Sequence, residues 1–123
     1  MDEGKRILVV DDDAMSLRMA EFILKKTPHE ILKADSGDAC IETLKKETVD
    51  LLLLDVEMPG KNGLDTLREI RSIEGLDSLP VIFLTGTGDA QRMEEAKELG
   101  ARDFAIKPLK PADLLARVEA VLG

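Results

Sequence analysis

Apolar residues fall along this chain in two rhythms. Short unbroken runs at Ile7–Val10, Leu51–Leu54 and Val81–Leu84 have the pattern of strands buried on both faces of a parallel sheet. Glu30–Ala34 and Asp103–Ile106 are weaker strand candidates. The stretches between them are amphipathic. Leu64, Leu67, Ile70 and Ile73 recur at helical spacing, and Leu115, Val118 and Leu122 trace one face of a closing helix. The punctuation agrees: Asn62 and Asp89 are placed to cap helix N-termini, Gly100 to follow a helix end, and Pro111 to open the last helix. The sum is βα repeated five times. It predicts a doubly wound α/β fold, a five-stranded parallel sheet with five helices packed on both faces. Taken in the strand order 2-1-3-4-5, the first and third strands are neighbours.

Composition narrows the function. The 123 residues fit one domain, expected to span residues 1–123, and 44% hydrophobic with 34% charged residues is ordinary for a globular protein. Lys and Arg number 17 against 25 Asp and Glu, a formal charge of −8. That sign repels a phosphate backbone, so direct nucleic-acid binding by this domain is not expected. A single cysteine, Cys40, rules out an internal disulfide framework and suits a reducing compartment. No apolar run approaches the roughly 18 residues of a membrane span, and no signal-peptide pattern follows the charged opening residues. A cytoplasmic protein without membrane contact is expected. The chain ends just after the last helical pattern, with no output domain in view.

The acids bring in chemistry. Asp11, Asp12 and Asp13 follow the first run and Asp55 follows the third. In open α/β sheets, ligands bind beyond the carboxyl ends of strands where the strand order reverses, which is where these acids would converge. Two carboxylates about 4 Å apart repel by roughly 4 kcal/mol at an effective dielectric of 20. Either one of them holds a proton, or a cation sits among them. An all-oxygen donor set favours a hard ion such as Mg²⁺, with Mn²⁺ able to substitute. The competing reading is solvated loop acids or helix caps, and it suits Asp13 best. Thr85 closes the fourth run and Lys107 follows the fifth. A hydroxyl and an ammonium beside a metal-bound carboxylate would serve a phosphoryl group, and an aspartate can itself be the nucleophile.

With these residues in order, the chain resembles the receiver domains of two-component response regulators along essentially its whole length. The resemblance rests on Val9-Val10-Asp11-Asp12, Leu54-Asp55-Val56-Glu57-Met58-Pro59-Gly60, Leu84-Thr85-Gly86 and Ile106-Lys107-Pro108-Leu109. It implies a flavodoxin-like fold and a phosphoacceptor switch. Asp55 matches the acceptor. Asp12 and Asp55 match direct Mg²⁺ ligands, Asp11 a ligand through water, and Glu57 supplies a backbone carbonyl. Thr85 matches the switch hydroxyl, Lys107 the phosphate-binding lysine and Phe104 the rotating aromatic, while the bond before Pro108 is cis in the family. The implied donor is a phosphohistidine on a sensor histidine kinase or a histidine phosphotransfer protein, with small acyl phosphates as substitutes. An output domain or target protein would read the result. A phosphorylation-dependent dimer through the face of helix 4, strand 5 and helix 5 is a further implication. Gly86 stands where Ala is common, Phe104 lacks a hydroxyl, and Glu57 and Thr87 occupy positions that tune the phosphorylated lifetime.

Such a switch would work through one local charge event. Phosphorylation adds roughly −1.5 to −2 charges and draws in Thr85 and Lys107. The moving part would be the fourth helix, whose apolar stripe of Ala90, Met93, Ala96 and Leu99 buries little area. Rival readings fit less well. A haloacid-dehalogenase-like phosphatase would need a Thr where Met15 stands, and room for a cap domain. A flavin module needs a Ser/Thr/Gly-rich phosphate loop, and three aspartates stand there. A degenerate receiver serving only as a docking surface would not need the full residue set. The chain is therefore expected to transfer and lose its own phosphoryl group without being a turnover enzyme. His29 reads as a surface histidine, Cys40 as a small buried residue, and most of the five methionines as core filler.

Overall fold

The apolar runs pair side by side. In the computed structural model, which describes residues 4–86 and 90–122, strands β1 (Arg6–Val10), β2 (Glu30–Ala34), β3 (Leu51–Asp55), β4 (Val81–Thr85) and β5 (Asp103–Ile106) form one parallel sheet. Its order is β2-β1-β3-β4-β5, as expected. Helices α1 (Ala14–Leu24), α2 (Gly37–Lys46), α3 (Gly63–Arg71), α4 (Ala90–Glu98) and α5 (Pro111–Leu122) alternate with the strands. None of them is long and apolar enough to cross a membrane.

Alternation along each strand divides the core into two layers. Leu8, Val10, Leu52, Leu54, Val81 and Phe83 face α2, α3 and α4, while Ile7, Val9, Leu51, Leu53, Ile82 and Leu84 face α1 and α5. All twelve are fully buried, which is why these runs carry no polar position.

Two helix starts follow the capping chemistry read from the sequence: Asp13 accepts from the Met15 amide and Asn62 from Asp65. Ser36, not singled out there, caps α2 by accepting from the Ala39 amide. Gly100 sits at φ +88°, past the end of α4, and Pro111 is the first residue of α5. Asp89 and Thr87 lie outside the described residues.

The structure corrects several sequence expectations. Asp55 is the last residue of β3, not the first beyond it, while Thr85 closes β4 as read from the sequence. The ladder runs on through Val56 N–H to the Leu84 carbonyl (2.9 Å) and Lys107 N–H to that of Thr85 (2.7 Å). In α5 Leu115, Val118 and Leu122 pack against one core layer as expected, but the sequence reading missed Leu114, which is fully buried beside Val118. In α4 only Ala96 is buried; Met93 is half-buried, Ala90 is exposed, and Leu99, just past the helix end, is half-buried. The methionines are not mainly core filler, since Met58 is buried but Met15 and Met19 are 73% and 46% exposed on α1.

Candidate functional site

Strand register brings the candidate residues together. Val10 pairs with Leu54, so Asp11 and Asp55 leave adjacent strands side by side. Asp55 pairs with Leu84 and Thr85 with Ile106, which carries Thr85 and Lys107 to the same rim. Neighbouring acids in the sequence meet opposite fates there. Asp11 is fully buried and Asp55 is 3% exposed, whereas Asp12 stands in solvent. Carboxylate oxygens of all three come within 4.8 Å of one another.

A buried acid pair needs a countercharge, and Lys107 supplies part of it. Its Nζ lies 2.6 Å from Asp11 Oδ2 and 3.3 Å from Asp55 Oδ1. The contact with Asp11 Oδ2 is a close ion pair, and among the described residues that buried oxygen has no other polar partner. The other Asp11 oxygen accepts from the Asp13 amide (2.9 Å), and Asp55 Oδ1 from the Glu57 amide (3.3 Å). Burial, followed by the charge of Asp11, pushes the Asp55 carboxyl up to about 7, against the pull of Lys107 and the Glu57 amide. Burial also works against the charge of Lys107, but the two carboxylates outweigh it and raise its pKa.

Three carboxylates against one ammonium leave the rim electronegative. The donor set is all oxygen, and one buried oxygen of Asp11 has the shared Lys107 ammonium as its sole partner among the described residues. Both features fit a small hard cation.

Thr85 is buried at the end of β4. Phe104 is half-buried, its ring stacked on Phe83 with centroids 6.3 Å apart. The Lys107–Pro108 peptide bond is cis. The Glu57 side chain points outward and meets Arg92 of α4 at 3.8 Å. Two residues set aside from the site stay outside it. Cys40 is buried in the α2 layer, and His29 accepts from the Lys5 amide at 2.9 Å.

Sequence reasoning missed Gly63. Its amide donates to the Val56 carbonyl (2.9 Å), and a Cβ on it would lie 2.2 Å from the Asp55 carbonyl oxygen. The start of α3 is thus pressed against the backbone that carries Asp55. The Asn62-Gly63 pair was the available signal: a cap followed by a residue with no side chain.

Comparison with known proteins decides the family. The response regulator receiver domain family matches residues 7–119. The chain belongs to it. The receiver domain is 40% identical over 117 residues to the transcriptional regulatory protein CpxR of Klebsiella pneumoniae, a match covering 95% of this chain and 49% of that protein. It thus spans about half the length of the curated relatives it matches. Among solved structures, a response regulator receiver protein from Pseudomonas putida is similar with TM-score 0.90 and 28% identity, covering 98% of this chain and 99% of that one. The receiver domain of a sensor histidine kinase from Pseudomonas aeruginosa is similar with TM-score 0.88 and 26% identity, covering 98% and 99%. That structure has a magnesium ion coordinated in its active site cleft.

Proposed function

We propose that this receiver domain takes a phosphoryl group onto Asp55, with Mg²⁺ held at the rim, and signals by the movement that follows. The observation that carries the reading is the buried Asp55 carboxylate, in contact with Lys107 and within 4.8 Å of donor atoms from Asp11 and Asp12. Asp11, Asp12, Asp55 and the backbone carbonyl of Glu57 would hold the ion, and Mn²⁺ offers the same preference for oxygen donors. When bound, Mg²⁺ supplies neutralisation of charge on the transferring oxygens.

The protein's own residues do the rest. An Asp55 carboxylate oxygen attacks phosphorus; an O–P bond forms, and the donor's P–N bond (phosphohistidine) or P–O bond (acyl phosphate) breaks, its electron pair leaving with the donor. Lys107 gives up its close contact with Asp11 to meet the new phosphoryl oxygens, and the Thr85 hydroxyl donates to them. As Thr85 moves, Phe104 follows into the space left beside Phe83, and α4 shifts.

The donor is a phosphohistidine on a sensor histidine kinase or phosphotransfer protein, and its approach is supported by α1. That helix starts directly after the acids and exposes Met15, Met19 and Phe22 on one face, the last 63% exposed. The reader is an output domain or a target protein. Dimerisation through α4, β5 and α5 is supported by Ile106, 55% exposed on edge strand β5. The charge of −8 argues against direct nucleic-acid contact by this domain. The chemistry is self-limited transfer and loss, without turnover of a separate substrate.

The test is intact-protein mass after incubation with acetyl phosphate, with and without Mg²⁺, beside Asp55→Asn. One phosphoryl adduct requiring both the ion and Asp55 is expected. An adduct that survives in the variant, or none with either acetyl phosphate or a phosphohistidine protein, would leave only a docking module.

A further inference from the structure

The guanidinium of Arg71, at the far end of the molecule from the acids, is committed to four backbone carbonyls. Arg71 is the last residue of α3. Its Nη1 donates to Leu76 O (3.1 Å) and Leu79 O (2.8 Å), its Nε to Leu99 O (2.8 Å) and its Nη2 to Gly100 O (3.4 Å). The first two carbonyls belong to the connection between α3 and β4. The other two directly follow α4, where a helix leaves carbonyls without intrahelical partners and its dipole favours a cation. Gly100 takes φ +88° there and leaves room for the guanidinium, since a Cβ would lie 3.3 Å from Nη2. Burial lowers the pKa of Arg71 and Asp77 pushes it back up. An arginine remains charged in either case.

Among the described residues, the attachments along the rest of α4 are weaker. Only Ala96 is buried. Glu95 pairs with Arg68 at 2.6 Å and Arg92 with Glu57 at 3.8 Å, but these side chains are all 40–62% exposed. Exposed pairs of this kind contribute little to stability. Ala90 and Gln91, at the end nearest the acids, are exposed.

We propose that Arg71 is the fixed pivot of α4: it pins the helix's distal end at Leu99–Gly100 to α3 and to the α3–β4 connection, so that α4 moves by swinging its site-proximal end. A lysine cannot replace it, because one ammonium cannot span carbonyls on two separate segments in the planar geometry of a guanidinium. The pinning is a property of the resting fold. The swing in response to a signal rests on the functional reading above.

Amide hydrogen exchange on the full chain with Mg²⁺ tests both parts, each rate being read as a ratio to the core amides of Leu52–Leu54 so that global destabilisation cancels. Arg71→Lys and Arg71→Gln should raise exchange at Glu98–Ala101 by about tenfold or more, with Glu94 and Glu95 nearly unchanged. Glu95→Gln should leave Glu98–Ala101 as in the wild type. Unchanged ratios at Glu98–Ala101 in the Arg71 variants, or an equal rise in Glu95→Gln, would overturn the pivot. With acetyl phosphate, the wild type should change at Glu94 and Glu95 but not at Glu98–Ala101; a change spanning the distal end would overturn it as well. Intact mass separates the two ideas. If no adduct forms, the functional reading falls, and the variant comparison still decides the pivot.

Discussion

Helices α3 and α4 lie on the same face of the sheet and are attached to it in different ways. α3 buries Gly63, Leu64, Thr66, Leu67 and Ile70, and its first residue sits against the Asp55 backbone. α4 buries Ala96 alone and is otherwise tied by ion pairs and by the Arg71 guanidinium. A fully buried Leu or Ile side chain is worth roughly 1.5–3 kcal/mol, and an alanine methyl far less. One helix is therefore a foundation for the proposed acceptor, Asp55, and the other can change position at small cost. A switch needs both, since an acceptor that moved with its reporter would lose the geometry that makes it reactive.

The largest expected effect tests that contrast through cavities. Leu67→Ala or Ile70→Ala should cost about 2–5 kcal/mol, because each empties a fully buried volume in α3. Met93→Ala, the largest apolar truncation within α4, should cost less than about 1.5 kcal/mol, because Met93 is only half-buried. Urea unfolding of the three variants measures this, and similar losses on both helices would break the comparison.

Two glycines sharpen it at the backbone. Gly63→Ala drives a Cβ toward the Asp55 carbonyl at 2.2 Å, where neither atom sits on a flexible side chain. About 1–3 kcal/mol of destabilisation is expected, together with slower phosphorylation of Asp55 as the acceptor is displaced. Gly86→Ala, on the α4 side of the rim, meets nothing within 4 Å among the described residues. It should be neutral or stabilise by up to about 1 kcal/mol, through the loss of freedom in the unfolded chain. Equal penalties for the two would mean that α3 is no more tightly built into the site than the segment leading to α4.

The same physics explains what the sequence could reveal. Strands and helices were legible because strands buried on both faces leave no polar positions, and the punctuation marked where helices start and stop; the sheet order was an assumption that the strand pairing bears out. The acids, Thr85 and Lys107 were legible because the ends of parallel strands converge, so position along each run translates into position in space. Gly63 was not, because the close approach of another backbone leaves no mark except the absence of a side chain. Arg71 was not, because its partners are carbonyls, which every residue has, some of them 28 and 29 positions away. The methionines misled for a related reason. Apolar character says that a side chain can be buried, and on α1 the structure leaves Met15, Met19 and Phe22 outside.

Titration separates the charge at the rim from the packing on either side. The folded protein holds the Asp55 carboxyl at about 7, above its ordinary value of 3.8. Below about pH 4 the group is protonated in both folded and unfolded chains, and its contribution to stability is fully present. Above about pH 4 the unfolded chain ionises while the folded carboxyl stays protonated, and the contribution is lost by the time pH has risen through 7. In metal-free buffer, the stability of the wild type relative to Asp55→Asn should therefore fall between about pH 4 and 7, and saturating Mg²⁺ should restore much of it. A flat difference across that window would show that Lys107 already balances the pair.

The smallest effect concerns a close polar contact between the described residues of the two helices. Arg68 reaches Glu95 at 2.6 Å and Asp65 on its own helix at 3.0 Å. These three side chains are 40–51% exposed, so water screens both pairs. A double-mutant cycle with Arg68→Met and Glu95→Gln should give a coupling of about 0.2–1 kcal/mol, shrinking as salt is raised. A pair this weak can break and re-form as α4 swings without setting the cost of the motion. A coupling well above about 1 kcal/mol that persisted in high salt would make Arg68–Glu95 a second fixed point, nearer the middle of α4. The helix would then be clamped at two places, and the contrast with α3 would shrink to its first turn.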